Sequence, residues 1–165
     1  MIDISHIHPI LVHFPVVLFT VSTLLSLVLW VRKANLADKG CLQLTMAVAL
    51  GVGVMMAIAA AAFGDLALDA ALDKGFDKAP LEEHEELAGI TIVIHAVLAV
   101  ILLAAMWKKI KLDGVKALVF VLGSIAGMAM LVTAAYHGGE LVYKHGVNVE
   151  VVHPQGLSQA TGGAS

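Results

Sequence analysis

Four apolar stretches divide the chain, at about residues 10–31, 42–63, 87–107 and 115–136. Each is close to the roughly 20 residues that an α-helix needs to cross the hydrocarbon of a bilayer. Charged residues collect between the stretches rather than within them. Four such runs in one chain predict an all-α integral membrane four-helix bundle. After the second stretch, Asp65, Asp69, Asp73 and Asp77 recur every four positions, with Leu68, Leu72 and Phe76 between them. That spacing predicts that the second helix continues past the membrane as an amphipathic extension ending near Gly75. Pro80 fits the first turn of the third helix. Glu82, Glu83, Glu85 and Glu86 suit its positive end. Residues 1–152 read as one transmembrane domain, and the small polar residues 153–165 as a disordered tail. No internal repeat and no second domain is visible.

Composition strengthens this picture. Hydrophobic residues make up 59% of the 165, above the roughly 45–50% of ordinary soluble domains. The segment MIDISH ahead of the first stretch has no Lys or Arg, and the apolar run exceeds the usual signal-peptide core, so the first helix reads as retained. The single cysteine, Cys41, excludes an internal disulfide and a CxxCH haem attachment. No nucleophile–base pair, phosphate loop or nucleotide fingerprint is present, and nothing points to nucleic acid. An electron carrier or redox subunit fits better than a stand-alone enzyme.

The basic residues set the orientation. Arg32, Lys33 and Lys39 lie between stretches one and two, and Lys108, Lys109, Lys111 and Lys116 between three and four. By the positive-inside rule these connections face the cytoplasm, and both termini face outward. The second and fourth stretches carry small residues: Gly51, Gly53, Ala57 and Ala59 to Ala62, then Gly123 and Gly127 in a GxxxG spacing. Close helix packing in lipid is the role expected of each glycine, although small faces also leave room for a flat cofactor.

This orientation puts all eight histidines in the outer half. His6, His8 and His13 precede or open the first stretch, and His84 leads into the third. His95 lies inside the third, just outward of its middle. His137, His145 and His153 follow the fourth. Ionisable residues inside a membrane are expensive and mark sites, and neutral imidazole is a common ligand of metals and haem iron. His84 and His95 are 11 residues apart, so they share a helix face about 16 Å apart along it. Pro9 fits a first helical turn. Pro15 cannot donate to Leu11 and is expected to bend the helix so that His13 turns inward. Each histidine also has a plain reading: solvated tails for His6 and His153, a cap or interfacial residue for His8, headgroup-level surface for His137 and His145, a solvated helix start for His84. For His95 the plain reading is a hydrogen bond to Ser124 or Thr133.

Two motifs carry a resemblance. HPILVHFPVV near the start and GGELVYKHGVNV after the fourth stretch resemble those of an uncharacterised family of small four-span bacterial membrane proteins, with HPxxVHFP and GGxLVYxHGVxV patterns. The resemblance covers nearly the whole chain. Members occur beside Rieske-type or other redox domains. The resemblance therefore implies electron transfer in the bacterial inner membrane, with b-type haem held by motif histidines. The matching positions here are His8, His13, Gly138, Gly139, Tyr143, His145 and Gly146. Asn148 departs from a common glycine.

Three functions are then weighed. The leading one is a b-type cytochrome with one haem, and a histidine set large enough for a second, in the outer half. His13 and His95 are the favoured iron ligands, followed by His84, His145, His8 and His137. The bilayer surrounds it, a periplasmic redox protein or quinol exchanges electrons with it, and a homo-oligomer is compatible with it. No electron transfer across the full membrane is expected. The second is a copper, zinc or nickel module built on His6, His8, His84 and the acidic loop. The third is a cofactor-free structural subunit.

Overall fold

The computed structural model describes residues 7–147 and 149. His6, His153, Asn148 and the expected tail 153–165 lie outside the described residues. The described residues form five helices: α1 (Ile7–Leu11), α2 (His13–Val31), α3 (Cys41–Asp73), α4 (Lys78–Lys108) and α5 (Gly114–Tyr143). α1 and α2 together make the first of four helices long and apolar enough to cross a membrane. The others are 33, 31 and 30 residues long. At 1.5 Å per residue, α3 reaches about 50 Å, well beyond a hydrocarbon core of about 30 Å.

The helices outrun the apolar stretches because capping, not hydropathy, ends them. α3 stops at Gly75, whose φ of +86° suits glycine. There Gly75 N–H donates to Leu72 and Phe76 N–H to Ala71, a Schellman ending. α4 starts where the Asp77 side chain accepts from Ala79 N–H. In place of the bend expected at Pro15, the first span shows a one-residue interruption whose backbone angles stay helical, φ −62° and ψ −21°. Helical structure is interrupted at Val12, between α1 and α2. This adjoins Leu11, whose carbonyl Pro15 leaves without its usual donor.

Consecutive helices pack side by side, and α5 closes the square against α2. Phe19, Leu29, Met46, Leu50, Leu98, Leu102 and Phe120 form the main core. A smaller outer cluster of Ala71, Leu81, Leu141 and Val147 seals the ends of α3, α4 and α5. Apolar residues such as Val17, Val48, Val100 and Val119 stay more than half exposed. That is the pattern of a chain solvated by lipid.

Contrary to the sequence reading, the bundle is a repeat of two hairpins. Positions along α1–α2 and its end correspond to those of α4 and its end after 76 residues: His8 with His84 and Lys33 with Lys109 are identical, and Phe19 corresponds to His95. Residues of α3 recur in α5 after 74 positions: Gly53 and Gly127, Ala60 and Ala134, Gly64 and Gly138. Equivalent residues have equivalent surroundings. A Cβ on Gly53 would meet Phe19 at 2.7 Å, and one on Gly127 would meet His95 at 2.7 Å. Lys33 and Lys109 both end their helices in the left-handed region, at φ 54° and 55°. Both hairpins run in the same direction, so the two-fold axis lies along the bundle, as in parallel membrane repeats. Three equivalent pairs meet across it: His8 with His84, Phe19 with His95, and Leu36 with Leu112, where Leu36 N–H donates to the Leu112 carbonyl at 2.9 Å.

Candidate functional site

The axis opens between His8 and His84, at the end carrying the acidic α3–α4 connection. Their ring centroids are 6.3 Å apart and their planes nearly perpendicular, at 86°. Each ring is fixed the same way. His8 Nδ1 donates to the Ala60 carbonyl at 2.7 Å, and His84 Nδ1 to the Ala134 carbonyl at 3.0 Å. A carbonyl only accepts, so Nδ1 carries a proton in both rings, which leaves Nε2 as the lone-pair atom of either ring in its neutral form.

Local sequence explains why these carbonyls are reachable. Each already closes a helical turn with the residue four positions on, and in both hairpins that residue is glycine: Gly64 after Ala60, Gly138 after Ala134. A Cβ on Gly64 would stand 3.1 Å from His8 Cε1 and Nδ1. One on Gly138 would stand 3.0 Å from His84 Cε1. The bare glycine lets each imidazole lie against the neighbouring helix.

His84 precedes the apolar segment, and burial pushes its imidazole below the ordinary value. The Ala134 bond opposes this, while nearby His8 and His137 add to it. At neutral pH the ring is therefore an uncharged donor atom. His137 flanks the pair on one side, its Nδ1 3.8 Å from Glu83 and 3.9 Å from Glu140. The equivalent positions of the other hairpin are apolar: Phe63, Ile7 and Leu66. One rim of the site is ionic and the opposite rim greasy.

The remaining histidines stand apart. His13 is exposed, and its Nδ1 bonds Pro9 O of its own helix at 2.7 Å, so the break at Val12 does not turn it inward. His145 is exposed beyond α5, and Tyr143 is exposed as the last residue of that helix. His95 is 1% exposed, bonded through Nδ1 to Thr91 O at 2.8 Å, and its Nε2 has no partner among the described residues. Neither expected partner reaches it: Ser124 bonds Phe120 O and Thr133 bonds Ala129 O. His13 and His95 therefore do not face each other. His84 and His95 do share a helix face, both turned to α5. Among the described residues, no group of three or more His, Cys, Asp or Glu side chains is arranged to hold a metal ion.

The four-span architecture and the chain-wide extent of the outer histidine motifs agree with a match to the family model described as "Predicted membrane protein (DUF2231)", over residues 5–151. The chain belongs to this family. No curated protein and no solved structure matches it. Family membership thus places it as a membrane protein, and the chemistry has to be argued from the side chains. The sequence reading grouped His8 and His84 for a metal module together with His6 and the acidic loop, and for haem it favoured His13 and His95 over this facing pair. The signal of the pair was the recurrence of His, Ala and Gly at the 76- and 74-residue spacings.

Proposed function

We propose that this protein is a membrane-embedded b-type haem protein that carries electrons at the outer face of a bacterial inner membrane, with His8 and His84 as the residues that would hold the haem iron. The observation that carries this is the disposition of the two rings. Metal–nitrogen distances of about 2 Å give ring centres roughly 6 Å apart for two imidazoles on opposite sides of one metal. The 6.3 Å separation agrees. Both Nδ1 atoms bond backbone carbonyls, the partner usually found behind a metal-ligating imidazole. Haem iron takes four ligands from the porphyrin, so two protein donors complete it, whereas structural zinc sites call for four protein ligands. Bound haem would supply one-electron chemistry. The chain's own part is to hold two imidazoles side by side and fix the proton on Nδ1 of each. A periplasmic redox protein or quinol is the matching exchange partner, since the pair lies at one end of the bundle.

A metal-ion module is the second reading. Its favouring observation is the ionic rim of His137, Glu83 and Glu140 beside the pair.

The deciding experiment is a reduced-minus-oxidised visible spectrum of protein purified in mild detergent. A sharp α-band and red-shifted Soret band are expected, lost in His8→Ala and His84→Ala and kept in His13→Ala and His145→Ala. A featureless spectrum after added hemin rejects the haem reading, and metal analysis then decides the second one. Full haem occupancy in both His8→Ala and His84→Ala rejects this ligand pair.

A further inference from the structure

We infer that Gly64 and Gly138 are positioning residues for the two imidazoles: by leaving the Ala60 and Ala134 carbonyls uncovered, they let Nδ1 of His8 and His84 bond there and so set the tautomer and seating of each ring. The inference deepens the haem reading and rests on it for its electrochemical consequence, while the ring geometry stands without any cofactor. The ring–carbonyl bonds are short, 2.7 and 3.0 Å. A Cβ at either glycine would lie 3.0–3.1 Å from the ring bonded there. Contacts that close require the ring to give by a few tenths of an ångström, and Nδ1, the atom that makes the carbonyl bond, is itself among the nearest atoms, at 3.1 Å in His8 and 3.4 Å in His84.

The second hairpin supplies an internal control against a plain packing role. Around the two sites the halves have diverged in kind: Ile7 against Glu83, Phe63 against His137, Leu66 against Glu140. The unit of imidazole, alanine carbonyl and glycine four residues on is kept in both. Fold alone does not demand this, since Gly139 and Gly89 sit in the same outer layer with nothing within 4 Å of a Cβ. Removing the carbonyl bond makes an imidazole a poorer donor, which stabilises ferric iron less and raises the reduction potential. Loss of such a partner behind a metal ligand weakens metal binding about 10–100-fold.

The test compares Gly64→Ala, Gly138→Ala and the control Gly139→Ala in the full chain. First, ¹⁵N spectra of histidine-labelled, haem-free protein in detergent report each tautomer. Gly64→Ala should alter the His8 ring signals and leave those of His84 in place, and Gly138→Ala the reverse. Second, in haem-loaded protein both variants should show a more positive midpoint potential and roughly 10–100-fold weaker haem retention, with Gly139→Ala at the wild-type values. Unchanged ¹⁵N signals in both variants overturn the inference. So does simultaneous loss of both histidine signatures in either variant, which would make the glycines general packing residues. If wild-type protein takes up no haem, the haem reading falls and the ¹⁵N result alone decides the positioning role.

Discussion

His95 lies flat on Phe19, with ring centroids 3.7 Å apart and planes 13° from parallel. The two residues are equivalents in the two hairpins, and each fills the space over a glycine of its own hairpin, Gly127 and Gly53. The two-fold is broken here only in chemistry: an imidazole faces a phenyl ring. The imidazole brings a buried Nε2 that has no hydrogen-bond partner among the described residues.

That orphan atom leads to a prediction. A buried unsatisfied polar group costs about 1–3 kcal/mol, whereas a stacked ring pair contributes only about 0.5–1.5 kcal/mol beyond its burial. His95→Leu should therefore leave thermal stability in detergent unchanged or raised, and should keep any haem spectrum. Phe19→Ala, which opens a cavity at a fully buried position, should lower stability by about 3 kcal/mol or more. Thermal unfolding and the visible spectrum check both variants. Loss of haem in His95→Leu would make His95 a ligand and refute the separation drawn between it and the outer pair.

The two glycines beneath these rings should behave alike. Gly53→Ala and Gly127→Ala each place a methyl 2.7 Å from a ring atom, in a core too tight to yield. Overpacking of this sort costs about 1–3 kcal/mol. Gly51→Ala, on an open face of the same helix as Gly53, should gain up to about 1 kcal/mol from helix propensity. Equal stabilities for all three variants would contradict the close approach.

Hydropathy made the four crossings legible, because the demand for about 20 apolar residues is a physical length. It did not give the helix ends. Asp77 and Gly75 set those by capping, so α3 and α4 run ten and nine residues beyond the apolar stretches on the outer side. The repeat was hidden because its partners match in shape more than in identity: Phe19 with His95, and Met46 with Phe120. The spacing also slips from 76 to 74 between the first and second helix of each hairpin. Depth along a helix was readable for every histidine, but the direction a ring faces was not. His13 has a suitable depth and points out; His8 sits one break earlier and reaches α3.

Orientation gives the next prediction. Basic connections lie at one end of the bundle and the acidic α3–α4 turn at the other, so the positive-inside rule puts the acidic end outside. In a Cys41→Ser background, a cysteine at Asp77 should react with a membrane-impermeant thiol reagent on intact spheroplasts. One at Lys111 should react only after lysis. The reverse pattern would place the histidine pair on the cytoplasmic side and overturn the periplasmic partner.

At the opposite end, Asn35 ties the hairpins together. Its side-chain oxygen accepts from Leu112 N–H at 2.8 Å and from Ala37 N–H at 3.1 Å. Its amide donates to Asp38 at 3.0 Å. The adjoining Leu36–Leu112 bond crosses the two-fold axis. Replacing Asn35 by alanine strips acceptors from two backbone N–H groups in a half-buried turn, and each such loss costs about 1–3 kcal/mol. Asn35→Asp keeps the accepting oxygen and loses only the bond to Asp38, where it adds a like charge. Asn35→Ala should therefore unfold at a clearly lower temperature than wild type, with Asn35→Asp between them. Because the clamp joins the hairpins at the inner end, Asn35→Ala should also speed amide hydrogen exchange at Leu112 and Ala37 while leaving the outer His8 and His84 ring signals in place. Uniform loosening at both ends would instead mean that the bundle opens as one unit, without a separable inner clamp.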